Sequence, residues 1–195
     1  MVFLRSVPLS ESGPVVRGDL VWLRVPQMSD YQEWASLRRV SESFLRPWEP
    51  EWAPDELTRS AFRRRLRHYQ RDLRDGTGYA FFLFRNSDNK LLGGITLTNA
   101  RRGVSQSISI GYWVGAPYSR QGYMSAALRG LIPFIFGTLG FHRLEAACLP
   151  SNAASRKLLE NCGFKYEGLA KKYLKINGLW QDHLLFAAID EDLRS

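Results

Sequence analysis

The stretch Ile108–Leu128, ISIGYWVGAPYSRQGYMSAAL, decides how the rest of the chain is read. Ile108 to Val114 is an apolar and aromatic run with the residue types of a strand. Gly115-Ala116-Pro117 breaks it, because proline has no backbone donor to offer a ladder. A loop with Arg120, Gln121 and Gly122 then opens into a segment whose apolar residues recur at helical spacing. A strand, a glycine-bearing loop and a helix N-terminus in succession form a ready seat for a phosphate. The first-turn amides lack intrahelical partners, and the helix dipole favours an anion there.

Downstream of this stretch, elements alternate. A strand is expected at Arg143–Cys148, a helix at Asn152–Asn161 stopped near Gly163, and strands at Phe164–Glu167, Tyr173–Ile176 and Gln181–Ile189. Asn177-Gly178 supplies a tight turn between the last two. The helix after Gly122 is expected to run from Tyr123 to Phe136, with Pro133 as a kink. Upstream, Tyr79–Phe84, Leu91–Thr98 and Ser105–Val114 follow one another through short turns, an antiparallel meander. Leu20–Val25 reads as a first strand. Ser29 and Asp30 are placed to cap a helix carrying Trp34, Leu37 and Val40 inward. A basic helix over 55–75, started by Pro54 and Asp55 and ended by Gly76, buries Leu57, Ala61, Leu66, Tyr69 and Leu73. The sum is an α/β fold, a mixed and mostly antiparallel sheet of about seven strands with helices on both faces.

The chain of 195 residues fits one domain, 1–195, and its 45% hydrophobic and 13% aromatic content suffices for a core. No apolar run approaches the roughly 18 residues that span a bilayer. Arg5, Pro8 and Glu11 interrupt the N-terminus where a secretory signal needs an unbroken apolar segment, so a cytoplasmic location is expected, away from membranes. Cys148 and Cys162 read as buried free thiols rather than a disulfide, and no Cys-His metal spacing occurs. The net charge of +8 suits an anionic partner. Arg59, Arg63, Arg64, Arg65, Arg67, Arg71 and Arg74 concentrate it on the basic helix. That helix is either a solvated face or a surface for RNA, a ribosome or an acidic protein.

The segment IGYWVGAPYSRQGYMSAAL, followed by a strand and then SNAASRKLLENCGF, resembles the core of the Gcn5-related N-acetyltransferases (GNAT). FLRPWEP and GFKYEGLAKKYLKINGLWQDHLLFA extend the likeness over most of the chain, towards the ribosomal-protein-alanine N-acetyltransferases of the RimJ/RimL type and the RimJ branch most closely. The resemblance implies acetyl-CoA as cosubstrate and no metal. Its pyrophosphate would lie on the backbone of Ser119, Arg120, Gln121, Gly122, Tyr123 and Met124. Ser119 and Met124 depart from the family's usual Gln or Arg and Gly or Ala, which backbone binding tolerates. Arg120 either adds charge or faces solvent. Trp113 and Val114 would meet the pantetheine arm and polarise the thioester carbonyl, in the manner of an oxyanion hole. Core packing is expected to claim at least one of Tyr112 and Trp113. Asn152 would contact pantetheine, and Ser155 would lie near the CoA sulfur and assist thiolate departure.

The base is the open position. Many relatives carry Glu in the strand where this chain has Ser109, and Leu174 stands where some RimL-type proteins have a late Glu. Glu49, in the Pro-Trp-Glu-Pro loop, is the candidate to receive the amine or its proton, or else an exposed loop carboxylate. Asp182 and His183 read as packing or strand-end groups, and neither cysteine has an activating neighbour in sequence. The leading acceptor is a protein N-terminal amine, on a ribosomal protein. A small-molecule amine, or a non-catalytic module binding acetyl-CoA or RNA, is the alternative. A homodimer is compatible with the sequence, but no patch specifies one.

Overall fold

Alternating burial along the strands sorts the side chains into two layers. On β3 (Tyr79–Arg85), Phe81 and Leu83 join one apolar cluster while Phe82 and Phe84 join another. A strand whose alternate residues are all apolar must be covered on both faces. The computed structural model describes residues 13–191. In chain order the other elements are β1 (Val15–Arg17), β2 (Val21–Arg24), α1 (Tyr31–Val40), α2 (Glu42–Leu45), α3 (Arg59–Asp75), β4 (Leu91–Arg101), β5 (Ser107–Val114), α4 (Tyr123–Pro133), β6 (Arg143–Cys148), α5 (Ala153–Asn161), β7 (Lys165–Ile176) and β8 (Leu179–Ile189). The expectation about the N-terminal segment around Arg5, Pro8 and Glu11 lies outside the described residues.

Among the described residues, eight strands form one sheet in the order β1-β2-β3-β4-β5-β6-β8-β7. Every neighbouring pair is antiparallel except β5–β6. One face packs α4 and α5 through Ala127, Leu128, Leu131 and Leu159. The other packs α1 and α3 over β3 and β4, with the Trp34 and Phe62 rings 4.7 Å apart.

The expected meander and the alternating second half are both present, with some differences. β1 was too short to stand out in the sequence and adds a strand to the edge of the sheet. The two strands expected over 164–176 are one long edge strand, β7, bent by register shifts at Tyr166/Gly168 and Ala170/Leu174. Bulges of this kind interrupt the period-two pattern while the pairing continues. The basic helix starts at Arg59 rather than Asp55, because Thr58 caps it by accepting the Ala61 amide at 3.2 Å. Pro133 ends α4, and a π-helical turn, Phe134–Thr138, follows. Val40 does not point inward but is 65% exposed, and Arg38 is buried instead. Asp30 gives α1 no side-chain cap. Its carboxylate binds Arg24 through both oxygens and accepts the Gln27 amide.

The parallel pair is where the sheet opens. β5 and β6 pair only from Ser107–Ile110 against Arg143–Ala146. Beyond that, Gly111–Val114 stay paired to β4, and Ala147 and Cys148 to β8. The two strands are held by their outer neighbours and part from each other, so the backbone groups of β5 that face the gap need another partner. β5 is seated there by a close approach. A Cβ built on Gly93 of β4 would lie 2.2 Å from the Trp113 carbonyl oxygen.

Candidate active site

The loop that leaves the split is stiffened by its own side chains. Ser119 Oγ donates to the Ala116 carbonyl at 3.0 Å, and Gln121 Nε2 donates to the Pro117 carbonyl at 2.9 Å. Arg120 and Gly122 both take left-handed backbone angles, with φ of 59° and 79°. This bends the chain straight into α4, whose first helical bond runs from the Ala126 amide to the Gly122 carbonyl at 3.0 Å. The amides of Tyr123, Met124 and Ser125 precede that bond and have no intrahelical acceptor. A Cβ on Gly122 would meet nothing within 4 Å, so the space before the helix end is open and glycine is required by backbone angle alone. Met124 is anchored in the core, the Tyr123 hydroxyl lies 3.4 Å from Arg85 Nη1, and Arg120 is exposed. With Tyr123 and Met124 committed elsewhere, an anion here meets backbone donors and the positive end of the helix dipole, with the exposed Arg120 on the same loop.

Across the split, the first turn of α5 carries a second cluster. Asn152 caps the helix by accepting the Ser155 amide at 3.0 Å. The Ser155 hydroxyl lies 2.8 Å from the Tyr112 hydroxyl on β5. Burial pushes the Tyr112 phenol well above its ordinary value, opposed by its bond to Ser155. Cys148, the last residue of β6, is buried beside Ser155; burial raises its thiol, and the serine hydroxyl works against that. Cys162 is also a buried free thiol raised by burial. Tyr112 packs towards α4 and α5, and Trp113 towards α1 and α3. Both are therefore partly claimed by the core, each on its own face.

On the Trp113 side, Glu49 is tightly held. Arg38 donates to its two carboxylate oxygens at 2.7 and 2.6 Å, and Trp52 Nε1 donates to it at 2.8 Å. The guanidinium lies 4.3 Å from the Trp52 ring centre and 4.9 Å from that of Trp113. A bidentate guanidinium between two indoles is fixed in both charge and plane. The Arg38 Nε is buried with no hydrogen-bond partner among the described residues. The Glu49 carbonyl accepts the Asn177 amide at 2.9 Å, which ties this loop to the β7–β8 hairpin. Ser41 Oγ accepts the Ala116 amide at 2.9 Å, which ties α1 and α2 to the end of β5.

Arg38 and Trp52 were missed in the sequence. The signal was present: Trp34, Leu37, Arg38 and Ser41 share the buried stripe of α1, and an arginine in such a stripe calls for a carboxylate.

The remaining candidates fall elsewhere. Asp182 Oδ1 accepts the Lys172 amide at 2.8 Å, where Lys172 sits at φ 46° in a β7 bulge. His183 is buried, with Nδ1 2.9 Å from the Gln181 carbonyl and its ring against Tyr173. Both hold strand geometry. Leu174 is 40% exposed on β7. Ser109 pairs in register with Glu145 of β6, whose Oε1 accepts from Arg143 Nε at 2.9 Å. Arg143 also grips Glu167 through both terminal nitrogens and thereby lowers that carboxyl. No group of three or more His, Cys, Asp or Glu among the described residues could hold a metal. No helix of the described chain is long and apolar enough to cross a membrane.

The comparisons with known proteins converge on this arrangement. Residues 21–165 match the family model described as an acetyltransferase (GNAT) domain. The probable N-acetyltransferase YjcK of Bacillus subtilis is 33% identical over 91% of this chain and 98% of its own length. The [ribosomal protein uS5]-alanine N-acetyltransferase of Escherichia coli is 32% identical over 92% of this chain and 93% of its own. Mycobacterium smegmatis RimJ, solved in complex with CoA-disulfide, superposes with a TM-score of 0.87 at 31% identity, covering 93% of this chain and 90% of that one. With the parting of β5 from β6 beside a bare helix N-terminus, and these likenesses along nearly its whole length, the chain belongs to the GNAT family and is an N-acetyltransferase.

Proposed function

We propose that the chain transfers the acetyl group of acetyl-CoA to the N-terminal α-amine of a protein, a ribosomal protein in the first instance, in a ternary complex in the cytoplasm. The observation that carries this is the split between β5 and β6, where the freed end of β5 leads into the loop before α4 and carries Trp113 beside the Arg38–Glu49 pair. The pyrophosphate rests on the backbone of Ser119 to Met124, the pantetheine arm runs along Trp113 and Val114, and Asn152 and Ser155 meet its thiol end. A relative of about one-third identity named as a [ribosomal protein uS5]-alanine N-acetyltransferase supports this choice of acceptor.

An α-amine, with a pKa of about 8, is partly neutral at physiological pH and needs little help from a base. The neutral amine attacks the thioester carbon, and a β5 amide receives the developing oxyanion. The C–S bond then breaks with its electron pair on sulfur, and the amine's extra proton leaves through water. Glu49, already held by Arg38 and Trp52, serves as the anionic end of the acceptor cleft and draws the amine in. Exposed Trp48, Leu179 and Trp180, on that loop and the adjoining hairpin, give the first residues of a peptide apolar walls.

The basic helix fits the ribosomal setting. Arg64 and Arg65 are paired with Asp55 and Glu56, but Arg63, Arg67 and Arg71 are exposed at four-residue spacing on one stripe of α3. Such a stripe can dock on rRNA phosphates, an attraction that salt weakens.

A thiol-release assay against N-terminal peptides, lysine peptides and small amines tests the reading. N-terminal peptides are expected to be turned over best. Turnover of a small amine with none of any N-terminal peptide overturns the acceptor. Ser155→Ala and Glu49→Gln should each lower turnover at least about tenfold. Near wild-type rates in both remove their roles.

A further inference from the structure

We propose that Tyr112 is a positioning residue for the departing CoA sulfur: its phenol donates to the Ser155 oxygen and so leaves the single serine proton free to face the split. This rests on the reading of Ser155 given above.

Two hydroxyls 2.8 Å apart share one hydrogen bond, and only one of them can be its donor. A phenol is the stronger acid and better donor, and an aliphatic hydroxyl is the better acceptor. The burial that raises the Tyr112 phenol keeps its proton in place at neutral pH. The neighbouring Cys148 thiol is likewise raised by burial, and a neutral sulfur is only a weak acceptor, so it competes feebly with an incoming thiolate for the serine proton. The Asn152 cap fixes the backbone from which Ser155 projects. Tyr112 itself is anchored on β5 beyond the last β5–β6 pair, so the hydroxyl couple bridges the strand that parts to the helix across the gap.

When the C–S bond breaks, the electron pair passes to sulfur and Ser155 stabilises the thiolate by donating a hydrogen bond. Serine holds its proton far more tightly than a thiol of pKa about 8.5, so no serine alkoxide forms. The thiolate takes its proton from water after leaving. Without Tyr112, the serine rotor has no fixed acceptor role, and its proton spreads over several directions.

The test compares Tyr112→Phe, Ser155→Ala and the double variant, with kcat, the KM for acetyl-CoA and thermal unfolding measured for each. Phenylalanine keeps the ring in its packing, so the fold is retained. Tyr112→Phe should lower kcat about tenfold and leave the KM for acetyl-CoA within about twofold, and the double should be no slower than Ser155→Ala alone. An acetyl thioester with a more acidic thiol should narrow the gap between Tyr112→Phe and wild type, which a purely structural role would not do. If Ser155→Ala loses turnover while Tyr112→Phe keeps it, or if the two losses multiply, the inference is overturned. If Ser155→Ala itself keeps full turnover, the underlying assignment of Ser155 fails instead.

Discussion

Tyr112 and Trp113 are neighbours on β5, yet they face two sides that are built in opposite ways. The Tyr112 side is made of backbone amides, one left-handed glycine and short hydroxyl and amide side chains. Its parts lie in two continuous stretches, 112–125 and 148–155. The Trp113 side is made of long side chains brought from far apart: Arg38, Glu49, Trp52 and the Asn177 hairpin. A cofactor with fixed chemistry can be met by a local, backbone-based seat. In the function proposed above, the Trp113 side would meet the acceptor amine with long side chains whose placing depends on several separate segments.

The largest effect should come from the element that both sides share. In Gly93→Ala the new methyl would be driven against the Trp113 carbonyl and to 2.9 Å from the Val114 Cα, both backbone atoms that cannot swing away. The variant should lose about 4 kcal/mol or more, or fail to fold, by denaturant titration. An unchanged midpoint would mean that β5 is not seated by this contact, and the two sides would lose their common support.

Next is a change confined to the Trp113 side. Arg38→Met leaves the Glu49 carboxylate partly buried without its cation, at a cost of about 3 kcal/mol. Arg38→Lys keeps the charge but loses the paired donors and the stacking between indoles, and should fall between wild type and Met. Both should raise the acceptor KM and leave acetyl-CoA affinity unchanged. Equal losses of affinity for both substrates would erase the distinction between the sides.

The same contrast explains what could be read from the sequence. The Tyr112 side was legible because its signals are local: a strand, a Pro break, Gly122 before a helix, and Asn152 before another. The Trp113 side was only half legible. Glu49 could be singled out, but its partner sits eleven residues earlier, in a helix whose buried stripe had been phased on Val40. The close approach at Gly93 was invisible, because it depends on the register of β5 against β4, which an expected meander does not set. The long bulged β7 looked like two strands because its irregularities break the alternation that marks a strand.

The smallest stability effect expected is on the Tyr112 side, and it separates backbone from charge. At φ 79°, Gly122→Ala should lose about 1 kcal/mol from backbone strain alone, since its methyl meets open space. Gly122→Asn should lose less, because asparagine enters the left-handed region more easily. Gly122→Asp shares that ease but sets a carboxylate before the helix N-terminus. It should therefore unfold much like Gly122→Asn while binding acetyl-CoA at least about tenfold more weakly, with part of the loss recovered at high salt. Equilibrium binding and thermal unfolding on the three variants decide the matter. If Asp binds acetyl-CoA as well as Asn does, the helix end does not hold the pyrophosphate, and the seat on the Tyr112 side lies elsewhere along the split.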